Sequence, residues 1–119
     1  MSNWSRAKDA WIARECEGLE VSDRYGSEWH EMRSGRPWKP VDSYSTDPAA
    51  AIRAAEAWRK KRGDRCGWEV GHGDTPVANT FYWSTEKDMF RKEYQDHISA
   101  ETPAAALAQA LYRATGGPA

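Results

Sequence analysis

The sequence predicts an α+β fold: a small antiparallel sheet of three to four strands packed with three helices, an α-β-α sandwich-like arrangement. Three observations predict it. Two segments open on a capping residue followed by proline, Asp47-Pro48 and Thr102-Pro103, and close on Gly63 and Gly116. Proline at the first helical position gives up only an N–H that has no partner anyway, so this pattern marks a helix start. Between them Trp68 and Val70, then Val77, Phe81 and Trp83, keep the two-residue spacing of half-buried strands. The order helix, irregular segment, helix, strands, helix leaves the strands adjacent in the chain, where antiparallel pairing with helices alongside is the ordinary solution.

The elements follow in order. A first helix is expected from Ser5 to Glu17, because Ile12, Cys16 and Leu19 fall at i, i+4 and i+7, with Trp4 and Trp11 one heptad apart beside them. Gly18 is its natural stop. From Glu20 to Ser45 the period is lost. A short strand is expected around Ser27 to Arg33, and an extended stretch from Gly35 to Pro40, where prolines hold the preceding residues out of the helical region. In the second helix Ala51, Ile52, Ala55 and Trp58 form the expected buried stripe, Ile52 and Trp58 each contributing about 1.5–3 kcal/mol. Glu56 and Lys60 form an i, i+4 pair, and Arg59 to Arg62 place cations where the helix dipole favours them.

Gly71 to Pro76 reads as a turn and Val77 to Ser84 as a strand. Thr85 and Asp88 resemble a capping box, so a turn or short helical segment is expected before a third strand near Tyr94 to Ala100. The last helix runs from Pro103 to Thr115 and buries Leu107, Ala110, Leu111 and Ala114.

With 119 residues the chain fits one domain, 1–119. Seventeen basic residues against eighteen acidic ones leave a net charge of −1, which supplies no general attraction to nucleic acid or an anionic membrane. No apolar run approaches the roughly 20 residues a bilayer demands. The segment from Met1 to Ala10 lacks the apolar stretch of a signal peptide. A cytoplasmic protein is the expectation, with Cys16 and Cys66 as reduced, packed thiols.

Four blocks carry a resemblance: Asp9 to Gly18, Tyr44 to Ala51, Trp68-Glu69-Val70, and Ala100 to Leu111. The most specific part is Tyr44-Ser45-Thr46-Asp47 before an alanine-rich helix. Together they resemble the phage ABA sandwich domain, a family of small bacteriophage and prophage proteins mostly without assigned function. The resemblance implies that fold, a phage origin and the cytoplasm of a bacterial host; it brings no catalytic residue.

No catalytic or metal-ligating constellation stands out, so a non-enzymatic protein without cofactor is expected. His72 and Asp74 lie in a glycine-rich turn, where polar residues belong in any case. His30 and His97 have no companion at metal-ligand spacing. The basic cluster Arg59, Lys60, Lys61, Arg62 and Arg65 suits either a solvated helix end or a phosphate contact. Nucleic acid is the least favoured partner, because the last helix starts without the cations that double-stranded-RNA-binding domains of similar element order carry there. The stronger lead is aromatic. Trp29, Trp38, Tyr25 and Tyr44 lie among Arg24, Arg33, Arg36 and Lys39, the composition of protein interfaces and base-stacking pockets, although the same rings could close the core. The first expectation is a phage accessory protein binding a host protein or immune complex, as an anti-CRISPR inhibitor does, through Trp29, Arg33, Arg36, Trp38, Lys39 and Tyr44. The alternatives are a binder that sequesters a nucleotide immune signal and an RNA- or DNA-binding module, and self-association into a homo-oligomer is a further expectation.

Overall fold

The computed structural model describes residues 4–23, 29–33, 35–63, 65–71 and 74–118. Helix α1 (Arg6–Glu15) precedes three short strands, β1 (Glu20–Ser22), β2 (His30–Met32) and β3 (Lys39–Pro40). Helix α2 (Pro48–Lys61) leads into β4 (Cys66–Gly71), β5 (Val77–Ser84), β6 (Met89–Lys92) and β7 (Ile98–Ser99), and α3 (Pro103–Ala114) follows. The class is α+β with antiparallel pairing throughout, divided between a three-stranded sheet, β1-β2-β3, and a four-stranded one in which β5 pairs with β4, β6 and β7. Helix α1 packs on the first sheet; α2 and α3 pack on the second.

Helix boundaries follow local chemistry. Ser5, Asp47 and Thr102 each accept a hydrogen bond from a first-turn amide that has no helical partner. Chain reversal after α2 falls on Gly63 at φ 73°, a left-handed conformation that side chains with a Cβ pay to adopt. At Gly117 the reason is space, because a Cβ there would lie 2.4 Å from the Tyr112 ring.

The core is built on alanine. Ala50, Ala51, Ala54 and Ala55 of α2 and Ala104, Ala106, Ala108 and Ala110 of α3 are buried, so helix surfaces approach closely, and Ile12, Tyr44, Trp58, Leu107 and Leu111 fill the volume between. Trp4, Trp11, Trp29 and Trp68 pack around its margin.

Three expectations are corrected. Ile52 is 45% exposed, because the buried face of α2 is centred on Ala51, Ala54, Ala55 and Trp58 and the next residue after Ala51 is turned about 100° away. Glu56 pairs with Arg59 at 3.1 Å instead of Lys60, and its other oxygen accepts the Trp68 indole N–H at 3.1 Å. The segment after Ser84 is the turn of a β-hairpin, the first of the two expected alternatives, but a strand, β6, already begins at Met89, ahead of the short β7 within the stretch 94–100 where the third strand was expected. The Ser84 hydroxyl accepts from the Lys87 amide at 3.2 Å, Asp88 takes φ 53°, and strand pairing resumes at Met89. A short polar side chain tolerates that left-handed turn, and so the apparent capping box serves a hairpin. Asn79 and Thr80 of β5 then lie opposite the bulged stretch between β6 and β7, held by the Glu93 amide donating to Thr80 O at 2.9 Å.

These burials predict unequal costs on one helix. Trp58→Ala should destabilise by about 3–5 kcal/mol, whereas Ile52→Ser should cost about 1 kcal/mol or less. Urea denaturation of the two variants checks this; equal losses would mean that Ile52 is covered in solution.

Candidate functional site

The segment singled out for its arginines and aromatic rings folds around a knot of charge. Glu17 follows the last turn of α1, with a side chain 5% exposed. It accepts two hydrogen bonds from Arg53 of α2, from Nε at 2.8 Å and Nη2 at 3.2 Å, and the hydroxyl of Tyr44. The Arg33 guanidinium, just beyond β2, adds contacts at 3.4 and 3.5 Å. Asp42, between β3 and α2, also holds Arg53 and meets Arg33 at 3.4 Å and Lys39 at 3.3 Å. Glu31 of β2 is fully buried; its Oε1 accepts the Asp42 amide at 3.2 Å and its Oε2 lies 3.2 Å from Arg33 Nε. Three carboxylates thus face three cations: Arg33 from the β2–β3 connection, Lys39 of β3 and Arg53 of α2.

A second anchor holds the same turn from below. Asp9, buried on α1, accepts the Trp4 indole N–H at 2.8 Å, Arg6 at 2.8 Å and the Tyr44 amide at 3.0 Å. Arg6 also donates to the carbonyl of Val41 and to the Ser43 hydroxyl at 3.2 Å. Arg6 of α1 thus reaches the carbonyls of Val41 and Asp42, while the carbonyl of Ser43 accepts from the Thr46 and Asp47 amides within the turn itself.

Protonation follows from these contacts. Burial pushes the Glu17 carboxyl up, but hydrogen bonds from Arg53, Tyr44 and Arg33 outweigh it and hold the group below its ordinary range. Asp42 is likewise held low by Arg53 and Lys39 against its own burial. For Glu31 and Asp9 burial wins and the carboxyls are raised. Burial and the neighbouring Glu17 charge keep the Tyr44 hydroxyl protonated, as a donor must be.

The residues proposed from the sequence therefore separate. Arg33 and Lys39 belong to the charge knot; Tyr44 is fully buried within it and has no surface to offer a partner. Trp29 packs against the core as a half-buried ring. Arg36 is exposed and Trp38 half-buried at the tip of the β2–β3 connection, where the Arg36 amide donates to Arg33 O at 2.9 Å. Arg24, Tyr25 and His72 lie outside the described residues. Sequence reasoning missed Asp9, Glu17, Glu31, Asp42 and Arg53. A signal existed for Asp9, which shares the helical stripe of Ile12 and Cys16, where a carboxylate implies a buried acceptor.

The basic cluster is largely occupied. Arg59 pairs with Glu56, Lys61 donates to the Glu15 carbonyl at 3.4 Å, and Arg62 meets Glu93 at 3.0 Å while lying 5.0 Å above the Trp58 ring. Lys60 and Arg65 are exposed. Cys16 and Cys66 are free and buried, and burial pushes the Cys16 thiol up to about 12, so little thiolate forms near neutrality. No group of three or more His, Cys, Asp or Glu residues able to hold a metal ion occurs among the described residues. No helix among them is long and apolar enough to cross a membrane. An open groove of about 720 Å³ runs along α1 and α3, lined by Trp4, Lys8, Asp74, Gln109 and Tyr112 among others. Large apolar side chains reach solvent on the β5–β6 hairpin: Tyr82, Trp83, Met89 and Phe90.

The carboxylates of the knot have opposite consequences in acid. A raised folded-state pKa makes folding take up a proton, so stability gains as pH falls through the Glu31 and Asp9 values. A depressed one does the reverse, so the contribution of Glu17 and Asp42 is present above the ordinary carboxylate range and lost as pH falls through their folded values. Thermal melts on acidification from neutrality should first rise and then fall, and Glu31→Gln should diminish the rise while keeping the fall. A monotonic decline in the native chain would contradict this assignment.

Comparison with known proteins places the fold. No family model matches the chain, and a search of curated proteins returns no match. Among solved structures, the crystal structure of a phage protein from Bacillus cereus ATCC 14579 is similar, with a TM-score of 0.61 at 18% identity. The similarity covers 99% of this chain and 97% of that one, so it is the architecture as a whole that the two share.

Proposed function

We propose that this chain is a phage-encoded accessory protein that acts by binding a component of the bacterial host in its cytoplasm, as an anti-defence inhibitor of the anti-CRISPR type does, and not by catalysis. The observation that carries the reading is the fold shared over almost the full length with a phage protein. The blocks resembling the phage ABA sandwich domain support the same origin. The contact surface is the tip of the β2–β3 connection. Its base is held by Arg33, Lys39 and Asp42, so Arg36, Pro37 and Trp38 are presented from a fixed frame and little ordering entropy is lost when a partner closes on them.

The combined change Arg36→Ala and Trp38→Ala should abolish capture of a specific host protein from bacterial lysate while leaving the melting temperature nearly unchanged. Parallel loss of binding and stability would make these residues core, and a chain that captures no specific host protein would remove the reading.

A second reading, sequestration of a nucleotide immune signal, is favoured by one feature of the groove along α1 and α3. Lys8 Nζ stands 5.9 Å from the Trp4 ring and 5.1 Å from the Tyr112 ring, a pairing of aromatic surface and cation that suits a base and its phosphate. A nucleotide at a hundred times its Kd would add about 2.7 kcal/mol of apparent stability. A thermal-shift screen against cyclic nucleotides should then show a rise of several degrees that Lys8→Ala and Tyr112→Ala abolish; a flat screen would discard this reading. Nucleic-acid binding ranks last, since Arg59, Lys61 and Arg62 already have acceptors.

A further inference from the structure

Strand β6 stands at the edge of the second sheet, with all four of its residues exposed. Its backbone is oriented for another strand. The Glu93 amide donates inward to Thr80 of β5. Alternation along an antiparallel strand then turns Arg91 and Met89 toward β5, and the N–H and C=O groups of Phe90 and Lys92 outward. The side chains alternate as well. Phe90 lies on the face of Trp83, its cross-strand partner, with the two rings 5.1 Å apart edge to face. Phe90 is 46% exposed and Trp83 36%, an apolar surface continuous with the open backbone edge.

We infer that the occupant of this edge is a second copy of the same chain, joined by antiparallel pairing of β6 with β6 about a two-fold axis through Phe90. The argument is one of register and charge. A two-fold axis perpendicular to the sheet keeps the two faces distinct, so facing residues must come from the same face. The axis must therefore pass through a residue and not between residues. Centred on Arg91, the pairing would set Arg91 against its own copy and Phe90 against Lys92, placing like charges side by side. Centred on Phe90, it sets Phe90 against Phe90 and Met89 against Arg91, and brings Asp88, in the turn just before β6, to the end where Lys92 of the second copy lies. The run Asp88-Met89-Phe90-Arg91-Lys92 is thus complementary to its own reverse. Among the described residues neither Asp88 nor Lys92 has an ion-pair partner within the chain, so both charges are available. The outward groups of Phe90 then exchange both backbone hydrogen bonds across the axis, and the Trp83–Phe90 stack extends into a four-ring ladder. Charged residues on an edge strand usually discourage pairing; here they exclude the Arg91 register and admit the Phe90 one. The interface is small, so the dimer is reversible and dependent on concentration.

Sedimentation velocity of the full chain from micromolar to near-millimolar concentration tests this, with far-UV circular dichroism to confirm that each variant folds. The native chain should pass from monomer to dimer. Lys92→Asp should weaken association roughly tenfold, because symmetry repeats the altered contact twice. Adding Asp88→Lys to Lys92→Asp should restore it. Since lysine is less at ease than aspartate at the positive φ of residue 88, a separate measurement covers failure of that double variant to fold. Facing residues of this class have Cα atoms about 5.5 Å apart, within the disulfide range of about 4.4–6.8 Å. Phe90→Cys should therefore cross-link into a covalent dimer under mild oxidation, the native cysteines being buried. A native chain that stays monomeric throughout overturns the inference. So does a dimer that Lys92→Asp leaves intact, or one in which Phe90→Cys fails to cross-link.

Discussion

The carboxylate of Glu17 is the constraint on which the first half of the molecule depends. It is nearly buried, and it receives Arg53 from α2, Arg33 from the end of β2 and the hydroxyl of Tyr44. Without those donors the charge could not leave water, and without the charge three cationic or polar groups would be stranded against one another. Three strands of two or three residues bury too little apolar area to fix their own position. The ion pairs supply what hydrophobic packing cannot: a defined placement of the first sheet on α1 and α2. Buried ion pairs are poor contributors to net stability, and their use here is directional.

The second half is held differently. Alanine faces on α2 and α3 bring the helices close, and Trp58, Leu107 and Leu111 fill the remaining volume. Such a core tolerates little change in side-chain volume, since there is no slack to absorb it. Apart from Trp58, the tryptophans packed on this core lie at its margin, where Trp68 finds Glu56 and Trp11 donates to the Thr115 hydroxyl at 2.9 Å. The tryptophan-rich composition thus reflects a rim of amphipathic rings around a core of small side chains, with the indole N–H of Trp4, Trp11 and Trp68 each donating to a side-chain oxygen.

These two modes leave different surfaces. The polar-pinned first sheet carries Arg36 and Trp38 between β2 and β3, while the helix-backed second sheet leaves an open edge at β6 with Phe90 and Trp83 beside it. The proposed contact residues and the proposed pairing edge belong to different sheets, so the two need not compete. The likeness to the Bacillus cereus phage protein at 18% identity fits such a plan. Helix caps, small-residue faces and strand periods can be met by many sequences, whereas contact residues change with the partner.

Much of the framework was legible in the sequence because its causes are local. Ser5, Asp47 and Thr102 as caps, Pro48 and Pro103 at the first helical turn, Gly63 and Gly116 at the ends, and the alternation from Val77 to Ser84 each act within a few residues. The four blocks resembling a phage domain added an expectation of fold, and the crystal structure of the Bacillus cereus phage protein has a similar one. What the sequence could not reveal was set at long range. Arg33, Lys39 and Tyr44 read as interface residues, and their contacts within the charge knot depended on Glu17, Glu31, Asp42 and Arg53, which no spacing connects. Ile52 fell outside the buried stripe because neighbouring elements decide which of several apolar positions faces inward. The segment at Asp88 stayed open between a turn and a short helix because one short polar motif serves a helix cap or a turn equally well, and only pairing with β5 chooses between them. Caps, periods and turns are local energies that a sequence carries with it; charge partners, register and exposure exist only once distant segments meet.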